Sequence, residues 1–190
     1  MEENITIKIC CLQETQLRTK HLNRQKAKTW KNIFQANGQG NKAGIVTLMS
    51  DKIECKTKTI KRHTEGHFIV LKGRIHQEDI HIINTYAPNI GAAKYIRKIL
   101  EDFKKDIDSN TIIVGEFNTS LSTMGRSSKQ NTNKDIAALN NALDQMELTD
   151  IYRTFHPKEG KYILLKCTWN IFKDRPHDRT QNKSQQIQEN

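Results

Sequence analysis

Proline, aromatic residues and long apolar runs are all scarce in this chain of 190 residues. It has 3 prolines, an aromatic fraction of 6%, an apolar fraction of 35% and a mean hydropathy of −0.74. No apolar stretch approaches the roughly 20 residues that a membrane-spanning helix needs. The low apolar content also indicates that some segment of the chain is poorly buried.

Cysteine gives no signal for a disulfide framework or a zinc site. The four cysteines, Cys10, Cys11, Cys55 and Cys167, form no C-x-x-C pair and no zinc spacing with histidine. The acidic start MEENITIKIC lacks the basic start and apolar core of a signal peptide. We therefore expect a soluble intracellular protein with reduced thiols, located in the nucleus or the cytoplasm and not bound to a membrane.

Charge of one sign is in excess. Lys and Arg number 31 against 21 Asp and Glu, which gives a formal net charge of +10. Such a balance favours a polyanionic partner, and nucleic acid before a membrane surface. The length suits one domain with its own core.

Hydrophobic periodicity predicts a layered domain in which strands are followed by helices. Strands are predicted at Ile5–Leu12, Trp30–Phe34, Ile45–Met49, Ile53–Ile60, Phe68–Ile75, Ile80–Tyr86 and Thr111–Val114. Helical spacing of apolar residues predicts helices at Ala92–Ile107 and Lys134–Met146. This order of elements indicates an α/β or α+β layered domain.

The C-terminal segment has a different character. Residues 166–190 show little periodicity and almost no apolar side chain beyond Phe172. Such a composition predicts a solvated, disordered tail. We therefore place the folded domain at residues 1–165 and the tail at residues 166–190.

Three of the predicted strands end in polar groups. Glu14 follows one apolar run, Tyr86 ends another, and Glu116 and Asn118 end a third in IIVGEFNTSL. Taken singly, each is explained as a surface acid, a packing aromatic or a turn residue. Taken together, they are groups that bind a hard cation or a phosphate, at the strand ends where α/β sheets hold ligands. Carboxylate and amide oxygens suit Mg²⁺, and in a basic protein they suggest phosphodiester chemistry.

Longer segments carry a resemblance to a known family. CCLQETQL, NGQGNKAGIVTLMSDK, IKRHTEGHFIVLKG, INTYAPNIGA, DSNTIIVGEFNTSLSTMGRS and NKDIAALNNALDQMELTDIYRTFHPK resemble the endonuclease domain of a mammalian long interspersed element retrotransposon. That domain belongs to the exonuclease–endonuclease–phosphatase superfamily and is similar to apurinic/apyrimidinic endonucleases. The resemblance runs from about Cys10 to Tyr162. It implies an α/β four-layer sandwich, in which two packed β-sheets are flanked by helices. The implied activity is Mg²⁺-dependent nicking of target DNA at T-rich/A-rich junctions, which exposes a 3′-hydroxyl for reverse transcription.

The same resemblance implies roles for the residues at the strand ends. Glu14 matches the Glu that binds Mg²⁺, and Tyr86 matches the active-site Tyr near the scissile phosphate. Asn118 matches the Asn of the G-D-F-N motif that orients phosphate and water. Glu116 stands where that motif has the Asp that acts as base toward the attacking water. Displacing a catalytic group by about 1 Å can cost on the order of 10²-fold in rate.

Two further residues are expected to contact DNA. Arg126 matches a basic residue of the family that contacts the DNA backbone, and Asn89 lies in the matched segment INTYAPNIGA. The implied partner is therefore DNA, held by its phosphate backbone. We expect the chain to act as a monomer.

The chain departs from the family pattern near both of its ends, so that the sandwich is expected to be incomplete at both termini. The family has a strand with a metal-proximal Asn before CCLQET, and S-K-I-D-H and S-D-H motifs after IYRTFHP. None of these is found in this sequence. With suitable synonymous codons, reading Cys167–His177 one base later gives Ala-His-Gly-Thr-Phe-Ser-Lys-Ile-Asp-His. We hypothesise that the tail is translated from a shifted frame.

These departures lead to an expectation of weak or absent catalysis. Catalytic groups that act as a unit lose most of their effect when members are removed. The expected function is therefore that of a retroelement-derived Mg²⁺-dependent DNA endonuclease domain, impaired or inactive. The alternatives are a non-catalytic basic relic that binds nucleic acid, and the non-functional product of a pseudogene.

Overall fold

Nine strands in two sheets and two α-helices make up the part of the chain that the structure describes. The computed structural model describes residues 9–15, 30–38, 44–119, 134–151 and, for the backbone only, 162–167. None of the helices in these ranges is long and apolar enough to cross a membrane.

The first sheet has three antiparallel strands. They are β1 (Ile9–Thr15), β2 (Trp30–Ala36) and β3 (Gly44–Ser50), in the spatial order β1-β3-β2. Every residue of the central strand β3 is buried. Its apolar side chains alternate between the two faces of the sheet, because successive residues of a strand point in opposite directions.

The second sheet has six strands in the spatial order β4-β5-β6-β7-β9-β8. They are β4 (Cys55–Arg62), β5 (Phe68–Ile75), β6 (Glu78–Tyr86), β7 (Asn110–Glu116), β8 (Thr149–Asp150) and β9 (Tyr162–Cys167). Only the pair β6 and β7 is parallel, and the other neighbours in this sheet are antiparallel. The carboxyl ends of β6 and β7 therefore lie side by side at the same end of the sheet.

The two helices cover one face of the second sheet. Helix α1 spans Ala92–Asp102 and forms the crossover between β6 and β7, and helix α2 spans Lys134–Gln145. Both contribute to one buried cluster with the second sheet, which includes Ile83, Ile113, Ile96, Leu100 and Leu139.

A second buried cluster lies between the two sheets. It contains Ile45 and Met49 of β3 with Ile69, Leu71 and Ile82 of the second sheet. Because Ile82 packs toward the first sheet and Ile83 toward the helices, the second sheet is buried on both faces. The predicted α/β sandwich of two packed sheets with flanking helices is confirmed.

Several element boundaries differ from those predicted. The described part of β1 runs on to Thr15 instead of ending at Leu12. The helix predicted to reach Ile107 ends at Asp102 and is followed by a 3-10 turn at Lys104–Asp106. Ile107, which follows this turn, is buried as the helical spacing predicted, although it lies outside the helix.

Two strands of the second sheet were not predicted. Strand β8 has only two residues, too few for a periodic pattern. Strand β9 lies between β7 and β8 and continues to Cys167, two residues past position 165. Residues 168–190 lie outside the described residues, so the expected tail and its shifted frame stay predictions.

Candidate active site

An irregularity in β1 directs Glu14 toward the second sheet. The register of β1 against β3 shifts between Leu12 and Thr15. Glu14, between them, has a left-handed backbone with φ of 52°. A bulge of this kind re-aims a side chain and is common beside active sites. A left-handed non-glycine residue costs about 1–3 kcal/mol, so the surrounding structure imposes this conformation.

Glu14 meets Tyr86, the last residue of β6. The Tyr86 hydroxyl donates a hydrogen bond to the Glu14 carboxylate. This hydrogen bond, burial and the Glu14 charge raise the pKa of Tyr86. The phenol therefore stays protonated near neutral pH and acts as a hydrogen-bond donor. One contact thus joins the first sheet to the carboxyl end of β6.

Glu116 and Asn118 reach the same place from β7. Glu116 pairs with Tyr86 in the parallel register, and its carbonyl oxygen accepts a hydrogen bond from the Ala87 N–H at 2.9 Å. Asn118 Nδ2 donates to the Ala87 carbonyl at 2.7 Å. The Glu116 charge raises the pKa of Tyr86 and a hydrogen bond from Asn118 lowers it, so both side chains act on the phenol. Phe117 between them is fully buried and fixes the strand end in the core.

A glycine is required before Glu116. A Cβ on Gly115 would lie 1.8 Å from the Thr85 carbonyl oxygen of the paired strand. No side chain fits at that distance, so β6 and β7 approach each other here only because residue 115 is glycine. The close approach sets Glu116 beside Tyr86.

A buried amide holds the two sheets together behind the site. Asn84 is fully buried. It accepts a hydrogen bond from Gln13 Nε2 at 2.7 Å and donates to the Val46 carbonyl at 3.1 Å and to Thr47 Oγ1 at 3.2 Å. Because Gln13 precedes Glu14 and Asn84 lies two residues before Tyr86, this network fixes the distance between the two site residues. Asn84 was not predicted as a site residue, although a polar residue inside the apolar run IHIINTY was a signal for one.

His67 supports Tyr86 from the turn between β4 and β5. The Tyr86 N–H donates to the His67 carbonyl at 2.8 Å. The two rings are nearly parallel, with an interplanar angle of 7° and centroids 6.3 Å apart. No sequence signal pointed to His67, since its position depends on how two hairpins pack.

The other two predicted site residues are placed differently. Asn89 is exposed in the loop that follows β6, three residues beyond Tyr86. Arg126 lies outside the described residues, so its DNA contact stays a prediction. Four of the six predicted residues are therefore brought together, one lies on the adjoining loop, and one has no described position.

The carboxylates of the site have no cationic partner among the described residues. Neither Glu14 nor Glu116 forms an ion pair with a residue in the described ranges. Those ranges also hold no group of three or more His, Cys, Asp or Glu side chains that would surround a metal. Mg²⁺ needs few protein ligands and keeps several waters, and carboxylate and amide oxygens are its preferred donors. The oxygen donors of the site therefore fit Mg²⁺, with Glu14 as the residue that would hold it.

Sequence comparison links the chain to a transposon-encoded protein. No family model matches the chain. It is 26% identical over 142 residues to the transposon TX1 uncharacterized 149 kDa protein of Xenopus laevis. The match covers 72% of this chain but only 11% of that protein. The chain therefore corresponds to a small part of its relative.

Solved structures share the fold at low sequence identity. The AP endonuclease LMAP from Leishmania major has a TM-score of 0.58 at 12% identity, covering 83% of this chain and 69% of that one. D. rerio TDP2 complexed with single strand DNA product has a TM-score of 0.58 at 10% identity, with coverages of 85% and 72%. The endonuclease domain of TRAS1, a telomere-specific non-LTR retrotransposon, has a TM-score of 0.52 at 13% identity, with coverages of 71% and 64%.

The fold and the relatives agree with the resemblance seen in the sequence. Two of these solved structures are endonucleases and one of them is the endonuclease domain of a retrotransposon. The relative found by sequence is encoded by a transposon. The chain is similar in sequence to a transposon-encoded protein and shares the fold of two solved endonuclease structures.

Proposed function

We propose that this chain carries a Mg²⁺-dependent DNA phosphodiester site of the retroelement endonuclease type, with impaired catalysis. The observation that supports the proposal is the meeting of Glu14, Tyr86, Glu116 and Asn118 from three strands of two sheets. Acidic and amide groups collected at strand ends, with no cationic partner among the described residues, are suited to bind a metal ion and a phosphate.

Each residue of the site has a separate task in this proposal. Glu14 holds Mg²⁺, which supplies charge stabilisation to a phosphate and its leaving oxygen when bound. Tyr86 remains protonated and donates its hydrogen bond to Glu14, which holds the phenol near the phosphate. Asn118, fixed by its bond to the Ala87 carbonyl, orients the phosphate and the attacking water. Glu116 accepts the proton of that water.

Glu116 is the source of the proposed impairment. The Glu116 carbonyl oxygen accepts a hydrogen bond from the Ala87 N–H, which restrains the main chain at this position. Compared with Asp, Glu carries its carboxylate one methylene further out. A displacement of about 1 Å reduces the rate on the order of 10²-fold.

DNA is the proposed substrate and partner. The net charge of +10 favours a polyanion. D. rerio TDP2, which shares the fold, was solved in complex with a single strand DNA product. Nicking by such a site leaves a 3′-hydroxyl, the end that a reverse transcriptase extends.

The experiment is the conversion of supercoiled plasmid to the nicked form by the purified chain. We expect slow nicking with Mg²⁺, and none with EDTA or with Glu14→Gln. Glu116→Asp should raise the rate by about 10- to 100-fold, because it returns the carboxylate to the family's position. Asp79→Asn is the matched control, because Asp79 is an acid paired with Lys58 at the opposite end of β6. Nicking that persists in Glu14→Gln would contradict the proposal.

A non-catalytic DNA-binding domain is the second candidate, favoured by Glu116 in place of Asp and by the net charge. Such a protein would bind DNA with an affinity that falls steeply with salt, because bound counterions are released. It would form no nicked product with or without Glu116→Asp. The response to Glu116→Asp therefore separates the two candidates.

A further inference from the structure

One large apolar side chain stands out by its exposure. Ile90 is 92% exposed, and among the residues that the structure describes it is the one exposed large apolar side chain. It lies in the loop between β6 and α1, four residues after Tyr86 of the candidate site. An isoleucine in this position contributes no buried area to the fold.

The loop that carries Ile90 is held at both ends. On one side Ala87 is fully buried, donates to the Glu116 carbonyl and accepts from Asn118. On the other side the Gly91 carbonyl accepts from the Tyr95 N–H at 3.0 Å at the start of α1. Gly91 has φ of 73°, and a Cβ there would have no atom within 4 Å. Ile90 is therefore presented on a fixed, projecting tip beside the site.

Two lysines with no ion-pair partner among the described residues follow the tip along α1. Lys94 and Lys98 are exposed, one helical turn apart. Neither forms an ion pair with a described residue, whereas Arg97 of the same helix pairs with Glu101. Two exposed lysines therefore lie on the helix that begins at the tip.

We propose that Ile90 is an apolar wedge that contacts the bases of duplex DNA while Lys94 and Lys98 contact the adjoining phosphates. This rests on the proposed function, because the phosphate at the candidate site places the duplex against the tip. Proteins that bind the groove of DNA insert isoleucine and similar side chains between base steps and partly unstack them. Lysines beside such a side chain supply the salt-dependent part of the affinity.

The test measures binding of a short fluorescein-labelled duplex by anisotropy at several salt concentrations. Ile90→Ser should weaken the affinity by about tenfold, as for one lost apolar base contact, with the salt slope unchanged. Lys98→Ala should weaken binding for all sequences and reduce the salt slope by about 1. Lys58→Ala is the matched control, because Lys58 is an exposed lysine that is paired with Asp79. Asp79 lies about 23 Å from Tyr86 along β6, at ~3.3 Å per strand residue.

A second readout reports on the wedge itself. A duplex with 2-aminopurine should become brighter when the wild-type chain binds and unstacks the base, and Ile90→Ser should lose this increase. Because Ile90 is exposed, the variant should melt at the wild-type temperature, so weaker binding does not reflect unfolding. Equal affinity and equal brightness for wild type and Ile90→Ser would overturn the proposal.

The outcomes also separate this proposal from the proposed function. If the wild-type chain binds DNA and Ile90→Ser binds it equally well, only the wedge is wrong. If the wild-type chain shows no salt-dependent binding, both proposals are wrong.

Discussion

Acidic residues lie at both ends of β6, but their surroundings differ. At the first end, Asp79 lies 2.8 Å from the Lys58 ammonium and 3.4 Å from the Arg74 guanidinium. At the other end, Glu14 and Glu116 face Tyr86 and have no cation among the described residues.

The same contrast holds for Asp106 beside the first half of β6. Its carboxylate lies 2.5 Å from Lys72 Nζ and 3.2 Å from Lys61 Nζ. Hydrogen bonds and charge from these two lysines lower the pKa of Asp106, just as Lys58 lowers the pKa of Asp79. Asp79 and Asp106 are thus paired with lysines, whereas no described cation pairs with Glu14 or Glu116.

The largest expected effect comes from Gly115→Ala, which would disrupt the packing of β6 against β7 at the end where the site lies. The new Cβ would overlap the Thr85 carbonyl, so β6 and β7 would have to separate. We expect a loss of more than about 3 kcal/mol of stability, seen as failure to fold or a large drop in melting temperature. Gly91→Ala is the control, since its Cβ meets open space and only its left-handed φ costs about 1 kcal/mol. A Gly115→Ala protein as stable as Gly91→Ala would contradict the close approach.

Asn84→Leu should come next in size, because it cuts the link between the sheets behind the site. Gln13, the Val46 carbonyl and Thr47 would lose a buried partner. An unsatisfied buried group costs about 1–3 kcal/mol, so we expect urea unfolding to show a loss of about 2–3 kcal/mol. A double variant with Gln13→Met should recover part of the loss. Full additivity of the two substitutions would show that the amides do not interact.

Asp106→Asn tests the lysine-paired acids through the pH dependence of stability. The folded pKa of Asp106 is depressed, so its stabilising effect is present above the unfolded value near 3.8 and is lost as pH falls through the folded pKa. At neutral pH we expect a loss of about 1 kcal/mol, or roughly 2–4 °C in melting temperature. The difference between variant and wild type should shrink below about pH 4. If the stability difference between variant and wild type were unchanged at acid pH, the ion pairs of Asp106 would not be its cause.

Glu14→Gln should have the smallest effect on stability. Gln keeps a side-chain oxygen that can accept the hydrogen bond from the Tyr86 hydroxyl, so the metal-free variant should melt within about 1–2 °C of the wild type. Mg²⁺ should raise the melting temperature of the wild type and not that of the variant. A loss of stability as large as that of Asp106→Asn would mean that Glu14 stabilises the fold as Asp106 does, and would contradict the difference between the two ends of β6.

Some of these features were visible in the sequence because they are local. The runs IIVGE and IHIINTY predict buried strands through their composition, and Glu14, Tyr86, Glu116 and Asn118 follow or end such runs. The bulge that turns Glu14 and the ending of α1 at Asp102 were not predictable from periodicity. Both depend on neighbours distant in sequence, β3 for the bulge and Lys61 and Lys72 for the turn at Asp106.

The sequence alone determined the excess of positive charge, the apolar pattern of the main strands and the chemical groups at their ends. Tertiary structure decided which of those groups meet. Glu14 and Tyr86 touch because Asn84 and Gln13 fix one sheet against the other, and Glu116 joins them because Gly115 lets two parallel strands approach. Composition and periodicity describe each residue by its nearest neighbours, whereas a site assembled from two sheets depends on contacts between residues far apart in the chain.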